Sequence, residues 1–202
     1  MSFAAIMIDP PWAEVGGGGR GANDHYAVMH RDEILATIVR APCWRPAPTS
    51  HLYLWTTMQS LLDGVWLVDA LGFRYVSHVV WVKLDPASLF GTLDVGPDIG
   101  IGHYFRGAHE ILLFGTRGRG SSIRTEHRGL PSVIVARTPR YTATDERRVA
   151  GGRIHSRKPD EAYDLVEKRT VGDRLEIFAR TARPGWVAWG NEAPEPPQEQ
   201  TA

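Results

Sequence analysis

Residues Ile8-Asp9-Pro10-Pro11-Trp12 constrain this chain more than any other stretch. An apolar run, Phe3 to Ile8, has the length and composition of a buried strand, and it leads directly into an acid, two prolines and an indole. Proline lacks an N–H and fixes φ, so strand pairing ends there and the backbone beyond is rigid. In open α/β sheets, ligands bind at the carboxyl ends of strands. Asp9 is therefore expected at such an edge, with its carboxylate and the Pro10 carbonyl held as two acceptors and Trp12 as a flat apolar face beside them. A planar base with an exocyclic NH2 suits that set, since two hydrogens need two acceptors and a ring needs a stacking partner. The competing reading is a plain acidic turn after a core strand.

The rest of the chain supplies strands and helices in alternation. Past a glycine-rich stretch, 16–21, which lacks the Lys-Ser/Thr of a phosphate loop and is expected to be mobile, His30 to Val39 reads as a short helix with Asp32 and Glu33 in its first turn. Residues 42–48 read as a loop and His51 to Trp55 as a second strand. Met58 to Leu71 carries Leu61, Leu62, Val65, Trp66, Val68 and Leu71 at helical spacing, and Gly72 ends it. Phe73 to Val82 is a long strand with Lys83 at its edge, followed by a Gly-, Pro- and Asp-rich loop over 84–103. His109 to Gly115 and Ser132 to Ala136 are strands. A helix from Pro159 to about Lys168 has proline at its first position, and Arg174 to Ala179 and Trp186 to Trp189 close the chain as strands. This order predicts an α/β fold, an open and mostly parallel sheet with helices on both faces. Residues 1–192 are expected to form one domain and 193–202 an acidic, Pro-rich disordered tail.

Composition narrows the function classes. The 202 residues suffice for one well-buried domain, and no run approaches the roughly 18 apolar residues of a membrane span. Cys43 is the only cysteine, and the eight histidines show no metal-ligand spacing, so neither a disulfide nor a metal is expected and the chain reads as cytoplasmic. Net charge is zero, yet Arg117 to Lys158 holds eleven Lys/Arg against three Asp/Glu. A segment so basic can contact phosphates, while its plainer reading is a solvated loop.

Lys158 carries its own argument. It precedes the helix that starts at Pro159, where the dipole disfavours a cation, so an anion shared between its ammonium and the helix N-terminus is expected.

The tetrapeptide Asp9-Pro10-Pro11-Trp12 and further blocks in fixed order resemble the adenine-N6 methyltransferase family marked by Asp-Pro-Pro-Trp. The blocks are Tyr26-x-x-Met29, Leu52 to Trp55, Trp81-Val82-Lys83, Arg106 to Glu110, Ser156 to Glu161 and Gly190-Asn191-Glu192, and together they span Ile6 to Glu192. The resemblance implies a Rossmann-like methyltransferase fold that is permuted, with the catalytic block ahead of the main cofactor-binding blocks. It also implies S-adenosyl-L-methionine as cofactor, Asp9 to Trp12 as catalytic residues, and Tyr26, Lys83 and Arg106 on the substrate side. Ile8, Asp9, Lys158, Arg180, Asn191 and Glu192 fall at cofactor-binding positions, with Lys158 facing the methionine carboxylate. Loss of Lys158 is then expected to weaken cofactor binding with little effect on the fold.

Arg137 to Arg153 has no counterpart in the family pattern and reads as an insertion. The expected activity is methylation of adenine N6 in nucleic acid, with DNA favoured over RNA because the chain is short and carries no RNA-binding module. RNA, a free adenine nucleoside, and a non-catalytic nucleic-acid-binding subunit stay open as alternatives. No membrane partner is expected, and a homodimer or a partner subunit remains possible.

Overall fold

The structure is a computed structural model that describes residues 1–13, 28–84, 104–105, 107–127, 129–139 and 157–190. Seven strands form one sheet: β1 (Phe3–Ile8), β2 (Pro46–Thr56), β3 (Arg74–Leu84), β4 (His109–Arg117), β5 (Val133–Arg137), β6 (Arg174–Ile177) and β7 (Trp186–Trp189), in the order β5-β3-β4-β2-β1-β6-β7. Four neighbouring pairs are parallel; β4 alone runs against its neighbours β2 and β3. The sheet is thus mostly parallel, as expected.

Side chains alternate across a strand, and this divides the core into two layers. Ile6, Ile8, Leu52, Leu54 and Leu113 pack with Ile34 and Ile38 of α1 (Arg31–Arg40) and with Leu67 and Val68 of α2 (Leu61–Ala70). Ala5, Met7, Tyr53, Trp55, Trp81 and Leu112 pack with Ala162, Leu165 and Val166 of α3 (Asp160–Arg169). Ser50 to Thr56 of β2 are buried without a break, which a central strand covered on both faces requires. Asp9 continues the Ala5-Met7 alternation and so emerges on the α3 face.

Several boundaries differ from the sequence expectation, each for a local reason. β2 starts at Pro46, inside the expected 42–48 loop. Its register against β1 shifts between Phe3 and Ala5, and the β4 ladder begins only at Ser50, so neither Pro46 nor Pro48 must donate an N–H. α2 starts at Leu61, and Leu62, expected on its apolar face, is 82% exposed. The helix lies instead on Gly64, where a Cβ would meet Leu113 Cδ1 at 3.0 Å, so glycine permits the close approach to the sheet. Pro159 is the cap of α3, not its first helical residue: its ψ is 147° and its carbonyl accepts the Ala162 N–H. Lys83 lies within β3, one residue before its end. β6 stops at Ile177 because Phe178 turns to φ 64°. Gly72, at φ 79°, ends the α2 segment as expected.

Tyr26, Arg106, Asn191, Glu192, the glycine-rich stretch, the 84–103 loop past Leu84, residues 140–153 of the insertion and the 193–202 tail lie outside the described residues. Among the described residues no helix is long and apolar enough to cross a membrane.

Candidate active site

The turn after β1 is fixed at several points. Asp9 N donates to Ile177 O at 3.3 Å, Trp12 N to Pro10 O at 2.9 Å, Met29 N to Pro11 O at 2.8 Å, and Ala13 N to Met29 O at 3.1 Å. The Trp12 indole N–H donates to the Trp55 carbonyl at 2.9 Å, and the ring is only 7% exposed. Trp12 therefore anchors the turn into the core and shows little face to solvent. Pro10 O already accepts one N–H, which leaves one lone pair for a ligand.

On the α3 face four charged side chains alternate in sign. Lys83 Nζ lies 2.6 Å from Glu110 Oε1, Lys158 Nζ lies 3.1 Å from Glu110 Oε2, and Lys158 Nζ lies 2.8 Å from Asp9 Oδ1. The ammonium groups also lie over aromatic rings, Lys158 at 5.4 Å from the Trp55 centroid and Lys83 at 5.1 Å from that of Trp81. Burial alone would neutralise these groups; their mutual pairing decides which stay charged. Glu110 is held down to about 2, because Lys158 and Lys83 outweigh its burial. Lys158 is raised, because Asp9 and Glu110 outweigh the burial that would favour its neutral amine. Asp9 goes the other way: burial dominates, Lys158 offsets only part of it, and its pKa is raised. The chain is thus anchored by a firmly ionised Glu110 and Lys158 and ends in a carboxylate with a stronger hold on protons. Asp9 meets Lys158 through Oδ1, and among the described residues Oδ2 has no partner.

A second acid stands nearby on β6. Glu176, level with Met7 of β1, accepts the Tyr163 hydroxyl hydrogen at 2.7 Å and is pushed up to about 7, mainly by burial and further by Asp9. Arg183 covers the Tyr163 ring at 4.0 Å and pairs with Asp160. Beyond β6 the chain bends sharply: Phe178 is left-handed, Ala179 N donates to Trp189 O, and a Cβ on Gly190 would meet Ala179 O at 2.3 Å. Left-handed backbone at a non-glycine residue is costly and gathers at functional edges. Arg180 follows directly from this bend.

The structure brings Asp9, Pro10, Lys83 and Lys158 to one edge, and β1 carries Ile8 there fully buried. Sequence reasoning placed Lys158 beside an anion at a helix start, and the anions present are Asp9 and Glu110. It gave Glu110 no role beyond the end of the Arg106 to Glu110 block. The available signal was alternation: in His109 to Gly115, Glu110 shares a face with Leu112 and Phe114, so a carboxylate was due on the side that carries Lys83. Glu176 and Tyr163 were also missed, because an acid within a closing strand and a tyrosine within a helix leave no local mark. Among the described residues no group of three or more His, Cys, Asp or Glu could hold a metal ion.

An open α/β sheet with a strained carboxyl edge and a charged acceptor at its centre defines a Rossmann-like enzyme fold of the methyltransferase kind. The MT-A70 family profile matches residues 3–192, and the chain belongs to that family. It is 27% identical over 197 residues to the N(6)-adenosine-methyltransferase MT-A70-like protein of Drosophila melanogaster, covering 94% of this chain and 27% of that protein. To the human N(6)-adenosine-methyltransferase catalytic subunit METTL3 it is 26% identical over 197 residues, covering 94% and 28%. To the N6-methyladenosine RNA methyltransferase MTA1 of Cryphonectria parasitica it is 30% identical over 199 residues, covering 94% and 51%. The chain thus spans from about a quarter to about half the length of these relatives.

Proposed function

We propose that this chain transfers a methyl group from S-adenosylmethionine to the N6 amine of adenine in nucleic acid. The observation that carries this is the Asp9 carboxylate, with Oδ1 on Lys158 and Oδ2 without a described partner at the carboxyl edge of the sheet. The lone pair of an adenine amine is delocalised into the ring and reacts poorly. An N–H donated to Asp9 Oδ2, and another to the remaining lone pair of Pro10 O, would hold the nitrogen near sp3 geometry and localise that pair. Positive charge developing on nitrogen would then lie against a fixed carboxylate in a site of low dielectric. An ordinary aspartate is a weak base; the raised pKa of Asp9 makes it a better acceptor for the proton released afterwards. Lys158 and Glu110 fix the carboxylate so that it need not reorganise.

The residues present fit the cofactor. Its amino-acid end is a zwitterion, which needs a cation and an anion side by side, and Lys158 and Asp9 provide both. Ile8, Asp9, Lys158 and Arg180 would hold it among the described residues. When bound, S-adenosylmethionine supplies a methyl group on a sulfonium that is ready to leave.

RNA is the polymer that the relatives' names support, since they carry the words adenosine and RNA; the DNA expectation has no comparable support. A partner subunit is proposed on the same footing, because the human relative is called a catalytic subunit. The test is label transfer from methyl-labelled cofactor to single-stranded RNA, single-stranded DNA, duplex DNA and adenosine, each incubated separately. Label on RNA adenine is expected. Label on none of the four would overturn the reading in favour of a non-catalytic subunit.

A further inference from the structure

A second concave site lies at the opposite end of the sheet. His51 of β2 is level with Ala5 of β1 and with Thr116 of β4, and Thr116 is level with Arg74 of β3. Ala5 is four residues before Asp9, so this row sits about 13 Å back along the strands. Here a pocket of about 470 Å³ opens beneath the C-terminal end of α3. Its described lining includes Arg74, Arg119, Arg124 and Arg169 and no Asp or Glu. None of the four arginines forms an ion pair with a described residue.

These arginines sit on fixed backbone. Arg119 lies between Gly118, at φ 61°, and Gly120, and a Cβ on these glycines would meet Pro48 O at 2.3 Å and Thr116 Cβ at 2.8 Å. The Gly-Arg-Gly turn is therefore pressed against β2 and β4. Thr125 N donates to Arg169 O at 3.1 Å and Val171 N to Ile123 O at 3.0 Å, which stitches the segment bearing Arg124 to the end of α3.

The floor is equally determined. The Gly120 carbonyl can only accept, so His51 Nε2–H donates to it at 2.8 Å. Nδ1 of the neutral ring then accepts the Thr170 hydroxyl hydrogen at 2.7 Å, and Thr170 Oγ1 accepts that of Tyr53 at 2.7 Å. Burial, with Arg169 and Arg124 adding to it, lowers the His51 pKa and keeps this direction of donation. The floor thus spends its donors internally, and recognition falls to the four guanidinium groups around it.

We propose that this pocket is a second binding site, built for a phosphate group. Guanidinium forks match phosphate oxygens in bidentate geometry, and a concave site lined by one sign of charge concentrates the opposite ion. Scattered solvated arginines would need neither the concavity nor the stitched backbone. Two carriers present this chemistry: the backbone of a bound nucleic-acid strand, and a free phosphorylated small molecule.

Calorimetry on the full chain tests this, with inorganic phosphate and a short single-stranded RNA as probes. The proteins compared are wild type, Arg119→Ala/Arg124→Ala, and Arg74→Ala, which acts from a different strand should the first variant lose stability. Wild type is expected to bind phosphate, and each variant to bind it about tenfold or more weakly, with unchanged melting temperature. If a strand is the carrier, the double variant also binds RNA less tightly and its salt slope falls by about two. If a small molecule is the carrier, phosphate binding falls and RNA binding does not. Absent phosphate binding in wild type, or equal binding in all three proteins, overturns the proposal. Only the RNA arm rests on the nucleic-acid reading above, so failure of that reading leaves the phosphate result standing.

Discussion

Lys158 Nζ stands 2.8 Å from Asp9 Oδ1, and this one contact joins the turn after the first strand to the start of the last helix, 149 positions along the chain. The same ammonium holds Glu110 at 3.1 Å. A residue that the sequence places beside a cofactor is also the cation that allows two acids to share one edge.

Lys158→Ala should therefore destabilise the fold as well as weaken cofactor binding. It leaves two largely buried carboxylates without their common cation, a change that costs about 3–5 kcal/mol. Denaturant unfolding at fixed ionic strength measures it. A loss below about 1 kcal/mol, the range of exposed pairs, would mean that the network contributes little to stability.

Glu176 gives the structure a pH signature. Its pKa rises on folding from 4.5 to about 7, so the folded state holds its proton where the unfolded state has released it. The stability that this contributes is complete below the unfolded value, declines as pH rises from 4.5, and is gone above the folded value. The loss across that window amounts to about 3 kcal/mol. Asp9, also raised, acts in the same direction. Glu176→Gln keeps an acceptor for Tyr163 but cannot titrate, and should flatten most of the decline between pH 4.5 and 7 in melting curves. An unaltered slope would assign the decline to other groups.

Much of this architecture was legible because its cause is local. Phe3 to Ile8 is apolar and ends in two prolines, and it is the strand that was expected, with identical bounds. Asp160 and Glu161 open a helix where they should. Leu62 was misread because helical spacing does not say how close a helix may come, and Gly64 lets α2 settle on a narrower face. The partners of Lys158 were hidden for a different reason. Asp9 and Glu110 lie 101 positions apart in sequence, and only the strand order β4-β2-β1 brings them together. A cation at a helix start announces an anion without naming it.

Trp12 separates two roles that the sequence merges. Trp12→Phe keeps an aromatic ring but removes the N–H donated to Trp55 O, leaving that buried carbonyl short of a partner at a cost of about 1–3 kcal/mol. Lower stability with a nearly unchanged KM for the adenine substrate is expected, as befits a ring that is 7% exposed. Unchanged stability with a raised KM would instead make Trp12 a stacking platform.

The most direct measurement is made on Asp9→Asn, which preserves shape and removes the negative charge. Cofactor affinity by calorimetry and N6-methyladenine formed in single-stranded RNA by mass spectrometry should be read on the same folded preparation. The account predicts weaker cofactor binding, since Asp9 also faces the cofactor's ammonium, and methyl transfer at saturating cofactor still reduced by about 10²–10³-fold or more, because the larger loss falls on the amine. Near-normal N6 methylation in that variant would contradict it.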